Sequence, residues 1–350
     1  TILLNVSGIT GTATPAATLQ YNLAADENIT ADANGLELIA GQAPEFYNDG
    51  AAPQLLSVET QDNDINGELD QIRLTFSEVM EGDGVTGGTF TVGSFTVASV
   101  VTEAGGNTDD DVFLININET GVANTGATPT VTIGGSIEDN AFVGGAQTPI
   151  AFGGFTGAAT DAAAPVIYTT QWEDNNANGS LDRAILTFSE AVAITDNTLG
   201  TDGLTSIVLN GSTGDLLNAF DFTTGTTTTI TVDFLANEIA GTGITGVTLG
   251  YIAASQGANT SSDLIQGATD GLEIPNGSNS VNYLDNAPPV ILAASLSAGN
   301  TSVQLDFSEG VYAADGTSAV VAADFSVFNF ADGGDGGATG VAVTGVSDLI

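Results

Sequence analysis

Hydrophobic residues recur at every second position in short runs along this chain. Ile72, Leu74 and Phe76 alternate with Gln71, Arg73 and Thr75, and Val303, Leu305 and Phe307 alternate with Ser302, Gln304 and Asp306. A period of two sends one face of an extended strand into a core and the other into water. Phe95–Val97, Val112–Ile115, Thr229–Val232 and Phe325–Phe328 are further β-branched or aromatic runs. Gly, often beside Asn, Asp or Thr, punctuates them as turns. Helical periodicity is weak, and only Ala253–Ala268 predicts a short helix, within a connection.

The same pattern returns along the chain. AAPQLLSVETQDNDINGELDQIRLTFSE, starting at Ala51, aligns without a gap on AAPVIYTTQWEDNNANGSLDRAILTFSE, starting at Ala163, so that Pro53 matches Pro165, Asp70 matches Asp182 and Phe76 matches Phe188. A third copy starts at Pro289 and keeps the ending Leu305-Asp-Phe-Ser-Glu309, but a shorter Pro-to-Phe distance leaves no room for the acidic loop. Residues 21–53 resemble residues 251–289 in a Tyr start, a Gly-Leu-Glu element, and a Tyr and an Asp before Pro. The expected organisation is therefore a closing half-repeat over 1–50, whole repeats over 51–161 and 162–287, and an opening half-repeat over 288–350. Short strands in units of about 110 residues predict an all-β chain of tandem Ig-like, Greek-key β-sandwich domains.

Charge narrows the chemistry. The 350 residues carry 43 acidic side chains against two arginines, a net charge of −41, while 42% are hydrophobic, an ordinary globular fraction. With no His, Cys or Lys, the chain lacks the parts of nucleophile–base pairs, thiolate chemistry and Schiff bases, and it lacks the usual ligands of zinc, haem and iron–sulfur centres. Nucleic acid is not an expected partner, because phosphates are neutralised by Lys and Arg. Anionic membrane surfaces repel such a protein, and without an apolar run of about 20 residues direct membrane insertion is not expected either. Oxygen-ligated cations, calcium first, are the natural partner. A chain so rich in Gly, Thr, Asn, Asp and Ala fits an exported surface protein or one adapted to high salt.

The repeated loops give that cation a candidate site. Asp62, Asp64 and Asn66 occupy positions 1, 3 and 5, Gly67 position 6 and Asp70 position 9 of the calcium loop known from helical proteins; Asp174, Asn176, Asn178, Gly179 and Asp182 repeat the series. The usual Glu at position 12 is replaced by Arg73 and Ile185, and a strand follows rather than a helix. The missing ligands are therefore expected from elsewhere in each domain. The first loop, with three aspartates and Glu68, is expected to bind more tightly than the second. The alternative is an Asn/Asp-rich turn that favours water.

A second acidic set marks the junctions. Asp49, Asp161 and Asp285 each stand four residues before a proline, and Glu78, Glu190 and Glu309 end the Phe-Ser-Glu motifs. Linker carboxylates beside a neighbouring domain's loop can clamp a metal between domains, so Asp49 and Asp161 join the candidate ligands. Solvated linker acids are the competing reading. Arg73 and Arg183 are expected to pair with surplus loop carboxylates, and Trp172 is expected in a strand or core. Paired carboxylates can hydrolyse glycosides, but no cluster of aromatic platforms accompanies them, and an enzyme is not expected.

A Pro-led strand, an Asp/Asn loop and Leu-Thr-Phe-Ser-Glu together resemble the bacterial Ig-like repeats of surface-layer proteins and large calcium-dependent cell-surface adhesins. The third copy, APPVILAASLSAGNTSVQLDFSEGVY, is similar to related repeats of giant cell-surface proteins. The resemblance implies an extracellular, cell-surface array of β-sandwiches made rigid by calcium, whose partners are copies of itself in a lattice or filament. Cell-surface glycans are a second candidate partner. The alternatives are the stalk of a large adhesin and the accessory domains of a secreted polysaccharide-degrading enzyme.

Overall fold

The computed structural model describes residues 51–140, 142–143, 146–147, 149–195, 207–209, 225–233, 238–243, 248–253, 264–299, 301–314, 316–326 and 342–347. The half-repeat expected over 1–50, Asp49 with it, the end of the Phe325–Phe328 run and residues 254–263 of the expected helix lie outside the described residues.

The first unit contains β1 (Leu55–Gln61), β2 (Gln71–Met80), β3 (Gly88–Val92), β4 (Val97–Thr102), β5 (Asp110–Ile117), β6 (Thr130–Gly135), β7 (Phe142–Val143), β8 (Ala146–Gln147) and β9 (Phe155–Ala158). One antiparallel sheet has the order β1-β2-β5-β4 and the other β3-β6-β9, with β7 and β8 as a small hairpin. Alternation decides which side chains meet: Ile72, Leu74 and Phe76 of β2 join Phe113 and Ile115 of β5 and Val92, Val131 and Ile133 of the second sheet in one buried core. Phe76 packs edge-on against Phe113 at 5.3 Å and Phe152 at 5.4 Å between ring centroids, an arrangement that matches negative ring faces to positive edges. Phe95 makes only a bridge to Val92, and its expected strand begins at Val97.

The second unit repeats the larger sheet. Its strands are β10 (Ile167–Glu173), β11 (Ser180–Leu181), β12 (Arg183–Thr195), β13 (Ile207–Leu209), β14 (Gly225–Asp233), β15 (Ile239–Ala240), β16 (Leu249–Tyr251), β17 (Leu264–Gly267) and β18 (Asn282–Asp285). The main sheet runs β14-β12-β10-β18, with β17 also paired to β12; β11 pairs with β15 and β13 with β16. A separate core gathers Trp172, Ala184, Leu186, Phe188, Ile230 and Tyr251, with Trp172 at 0% exposure on β10. The helix expected over Ala253–Ala268 is corrected at its end. Leu264–Gly267 is a strand against Val192–Thr195 with Ile265 buried, because burial of every second residue and main-chain partners along β12 outweigh a weak helical pattern.

Each unit closes by laying its last segment parallel to its first strand. β18 pairs with β10 in this way, and in the first unit the Thr60 N–H donates to the Thr160 carbonyl at 3.0 Å while the Thr160 N–H donates to the Val58 carbonyl at 2.7 Å. Asp161 and Asp285 therefore occupy corresponding exits. The third copy contributes the hairpin β19 (Ile291–Leu296) and β20 (Val303–Phe307), as its alternation predicts. The serine of Phe-Ser-Glu has the same task three times: Ser77, Ser189 and Ser308 accept, through Oγ, the N–H of the residue after the leading proline (Gln54, Val166 and Val290) at 2.9, 2.9 and 2.8 Å. Each serine N–H also donates to that residue's carbonyl, at 2.8, 3.0 and 2.9 Å.

Candidate metal centres

The loop joining β1 to β2 is built on its first and last aspartates. Asp62 accepts hydrogen bonds from the N–H groups of Ile65 (2.8 Å), Asn66 (3.2 Å) and Gly67 (2.8 Å). Asp70 accepts from the Asn63 N–H at 3.1 Å and its amide Nδ2 at 2.8 Å. The second loop copies this: Asp174 accepts from Asn178 (3.2 Å) and Gly179 (2.7 Å), and Asp182 from Asn175 (2.7 Å) and Asn176 (3.2 Å). Gly67 and Gly179 take left-handed φ values of +91° and +87°, the sharp turn for which position 6 needs Gly. Ile65 (φ 60°) and Ala177 (φ 56°) are left-handed without that excuse, at a cost of roughly 1–2 kcal/mol each.

These constraints gather charge. One carboxylate oxygen each from Asp62, Asp64 and Asp70 lies within 4.8 Å of the others, where each charge pair repels by about 3–4 kcal/mol at an effective dielectric near 20. Burial foremost raises the Asp62 pKa to about 6, with Asp64 adding to it, and burial also raises Asp70. A divalent cation turns this repulsion into attraction, and the all-oxygen donors suit a hard cation. The second loop brings Asp174 and a fully buried Asp182 together with Asn176 and Asn178. Of the two acidic loops, only the first assembles three carboxylates.

Two loop partners were not legible from spacing. The Asn66 amide donates to Asp64 at 3.1 Å and to Glu119 at 2.9 Å. In the second repeat Asn176 and Asn178 donate to Glu238 at 3.0 and 2.8 Å. Each glutamate comes from a distant loop and brings the loop side chains an acid where position 12 offers none. The signal in the sequence is the dipeptide Asn118-Glu119, repeated as Asn237-Glu238.

The arginines do not neutralise these loops. Arg73 pairs with Glu103 at 3.0 Å, because it faces Leu114 on β5, which in turn faces Val101 on β4, two residues from Glu103. Arg183 pairs with Asp233 at 2.6 Å, stands 3.8 Å from Glu173 and donates to the Asn175 side chain at 2.9 Å. Arg73 thus pairs across strands rather than with its loop, while Arg183 keeps an ion pair with Glu173 at the edge of the second loop beside its closer pair with Asp233.

The junction between the repeats holds a second cluster. Asp161 from the linker, Glu190 from β12 and Asp270 from the turn after β17 each place a carboxylate oxygen within 4.8 Å of the other two. Asp161 and Glu190 were singled out by the motif pattern; Asp270 was not. Burial, then the neighbouring carboxylates, raise Asp161 to about 6 and Glu190 to about 8. The folded state thus holds protons that the unfolded chain releases, and in chelator these acids favour folding below their unfolded pKa values. That contribution is lost as the pH rises through about 6 to 8. The metal-free chain is expected to melt higher at mildly acidic than at alkaline pH, with a shallower slope in Glu190→Gln; an equal slope in the variant would exclude Glu190 as a source.

The two repeats touch through a contact that is itself repeated. Thr125 Oγ1 and Ser189 Oγ lie 2.7 Å apart, as do Thr242 Oγ1 and Ser308 Oγ, and Thr242 also donates to Glu309 at 2.8 Å. A Cβ on Gly67 would stand 2.7 Å from Tyr168 Cδ2 and 2.9 Å from Val166 Cγ2, and one on Gly179 2.2 Å from Leu292 Cδ2. The glycine of each acidic loop therefore receives the first strand of the following repeat.

Among the described residues no helix is long and apolar enough to cross a membrane. The chain is 36% identical over 91 residues to an outer cell wall protein of Brevibacillus brevis (strain 47), a match covering 26% of this chain and 8% of that protein. No solved structure matches the chain. Residues 49–154 match the bacterial Ig-like domain family, and the sandwich of β1 to β9 is accordingly a bacterial Ig-like domain, a non-catalytic module.

Proposed function

We propose that this chain is part of an extracellular structural protein in which tandem Ig-like sandwiches, made rigid by calcium, assemble into a surface layer or filament. The repeated junction carries the reading: Thr125–Ser189 and Thr242–Ser308 are the same contact, each beside a glycine of the preceding acidic loop. A contact that recurs between successive repeats propagates one geometry along an array. The similarity to an outer cell wall protein supports a cell-surface location for such an array. In this reading Asp62, Asp64 and Asp70, with Glu119 close by, hold the first ion, and Asp174, Asn176, Asn178 and Asp182, with Glu238, a weaker second. Each ion fixes the loop whose glycine meets the next repeat.

The test is a thermal melt of the full chain in chelator, magnesium, calcium and molar sodium chloride, with small-angle scattering in parallel. Extracellular calcium sites have dissociation constants on the order of 10⁻⁴–10⁻³ M, so about 10 mM calcium stabilises each by roughly 1.4–2.7 kcal/mol. Calcium is expected to raise the melt and narrow the distribution of particle lengths, and equal rescue by sodium chloride would leave only a general salt adaptation. Asp64→Ala tests the first loop cleanly, since Asp64 is exposed and accepts only from the Asn66 side chain. The variant is expected to lose the first domain's calcium gain and keep the second's.

A further inference from the structure

We propose that Asp161, Glu190 and Asp270 form a junctional cation site, separate from the two loops, that binds one calcium ion and locks the linker to the second repeat. Asp161 is only 8% exposed, and neither of its carboxylate oxygens accepts a hydrogen bond of good geometry, although the Ala163 N–H and the Glu190 carboxyl lie beside them. Glu190 Oε1 and Asp270 Oδ2 are likewise buried without such a bond, and the three side chains converge within 4.8 Å. Buried carboxylates are ordinarily hydrogen-bonded or paired with a positive charge. No basic side chain serves here, because Arg73 and Arg183, the chain's two cationic side chains, are engaged with Glu103 and Asp233. Besides a proton, an ion from solvent is the remaining source of positive charge.

The ligand set defines the ion. Three carboxylates and no nitrogen or sulfur select a hard cation. Magnesium gives up its water shell reluctantly, whereas calcium accepts a flexible, protein-derived oxygen shell, which suits a site buried between domains. The surroundings hold the ligands in place. Asp270 Oδ1 accepts the Leu272 N–H at 3.1 Å, leaving Oδ2 for the cluster. Glu190 lies against Gly126 of the first repeat, where an added Cβ would stand 2.8 Å from Oε2 and 2.9 Å from the Glu190 Cβ. An ion held here therefore joins the linker, the second sandwich and, through Glu190, the surface of the first.

The corresponding position at the next exit is different. Asp285 is exposed and its Oδ1 accepts the Ala287 N–H at 3.1 Å, whereas Asp161 is buried. The cage thus belongs to one junction of the described residues.

Equilibrium dialysis of the full chain against calcium, with calorimetric melts in chelator and in calcium, tests the site. Asp161→Asn and Asp270→Asn keep side-chain shape and remove charge. Each is expected to bind one calcium fewer per chain than the unaltered protein, and to melt higher than it in chelator because the unpaired repulsion is relieved. Asp64→Ala is expected to retain this ion, so failure of the loop reading and failure of the junction site are told apart. Unchanged calcium stoichiometry in both Asn variants would overturn the proposal, and so would a chelator melt lowered in both.

Discussion

Gly67→Ala is expected to destabilise the first domain by about 2–5 kcal/mol and to weaken its hold on the second. Two costs add at this one position. Its φ of +91° lies where an L side chain is strained, at roughly 1–2 kcal/mol. The added methyl also meets Tyr168, Val166 and Ser189 at 2.7, 2.9 and 3.2 Å, and overpacking of that kind costs typically about 1–3 kcal/mol. Gly105→Ala separates the terms, because Gly105 has a φ of +100° with nothing within 4 Å of the new carbon. Denaturant unfolding of both variants in the full chain measures the difference. If Gly67→Ala costs no more than Gly105→Ala, the second repeat does not rest on the loop glycine, and a loop-to-junction coupling is lost with it.

The parts legible in the sequence were those written locally. Alternation at Ile72, Leu74 and Phe76 needs only the chain's own neighbours, and the strand and its inward face follow from that period. The Asp62 and Asp174 loops were legible for the same reason, since their turns are closed by side chains within a few residues. Contacts made across the fold were not. Glu119 and Glu238 reach their loops from distant positions, and a repeated Asn-Glu dipeptide does not say which loop it meets. Asp270 meets Asp161 only because β17 turns back against β12, a strand that its weak apolar pattern had suggested was helical. Arg73 pairs with Glu103 instead of its loop, because sequence proximity to an acidic loop says nothing about the sheet neighbour that a strand residue faces.

Phe113→Ala is expected to cost the first domain about 3–5 kcal/mol, the range for emptying a buried aromatic site, and to reach the second domain only through the junction. Phe113 is 0% exposed and stacks edge-on with Phe76 at 5.3 Å and with Phe90 at 6.5 Å. None of the second core's residues belongs to its cluster. Trp172 is the sole tryptophan and lies in that second core, so its emission reports the second domain alone while calorimetry reports both. In a nearest-neighbour array the loss of one unit lowers the next by their interface term and no more. The Trp172 transition should therefore fall by far less than the first-domain transition, and the residual shift measures what Thr125, Gly67 and the Asp161 cluster contribute. Calcium should enlarge that residual, because an ion shared across the junction strengthens the interface without touching either core. A Trp172 transition that moved one-for-one with the first domain would mean a single cooperative unit, and one that did not move in either chelator or calcium would mean that the junction transmits no stability.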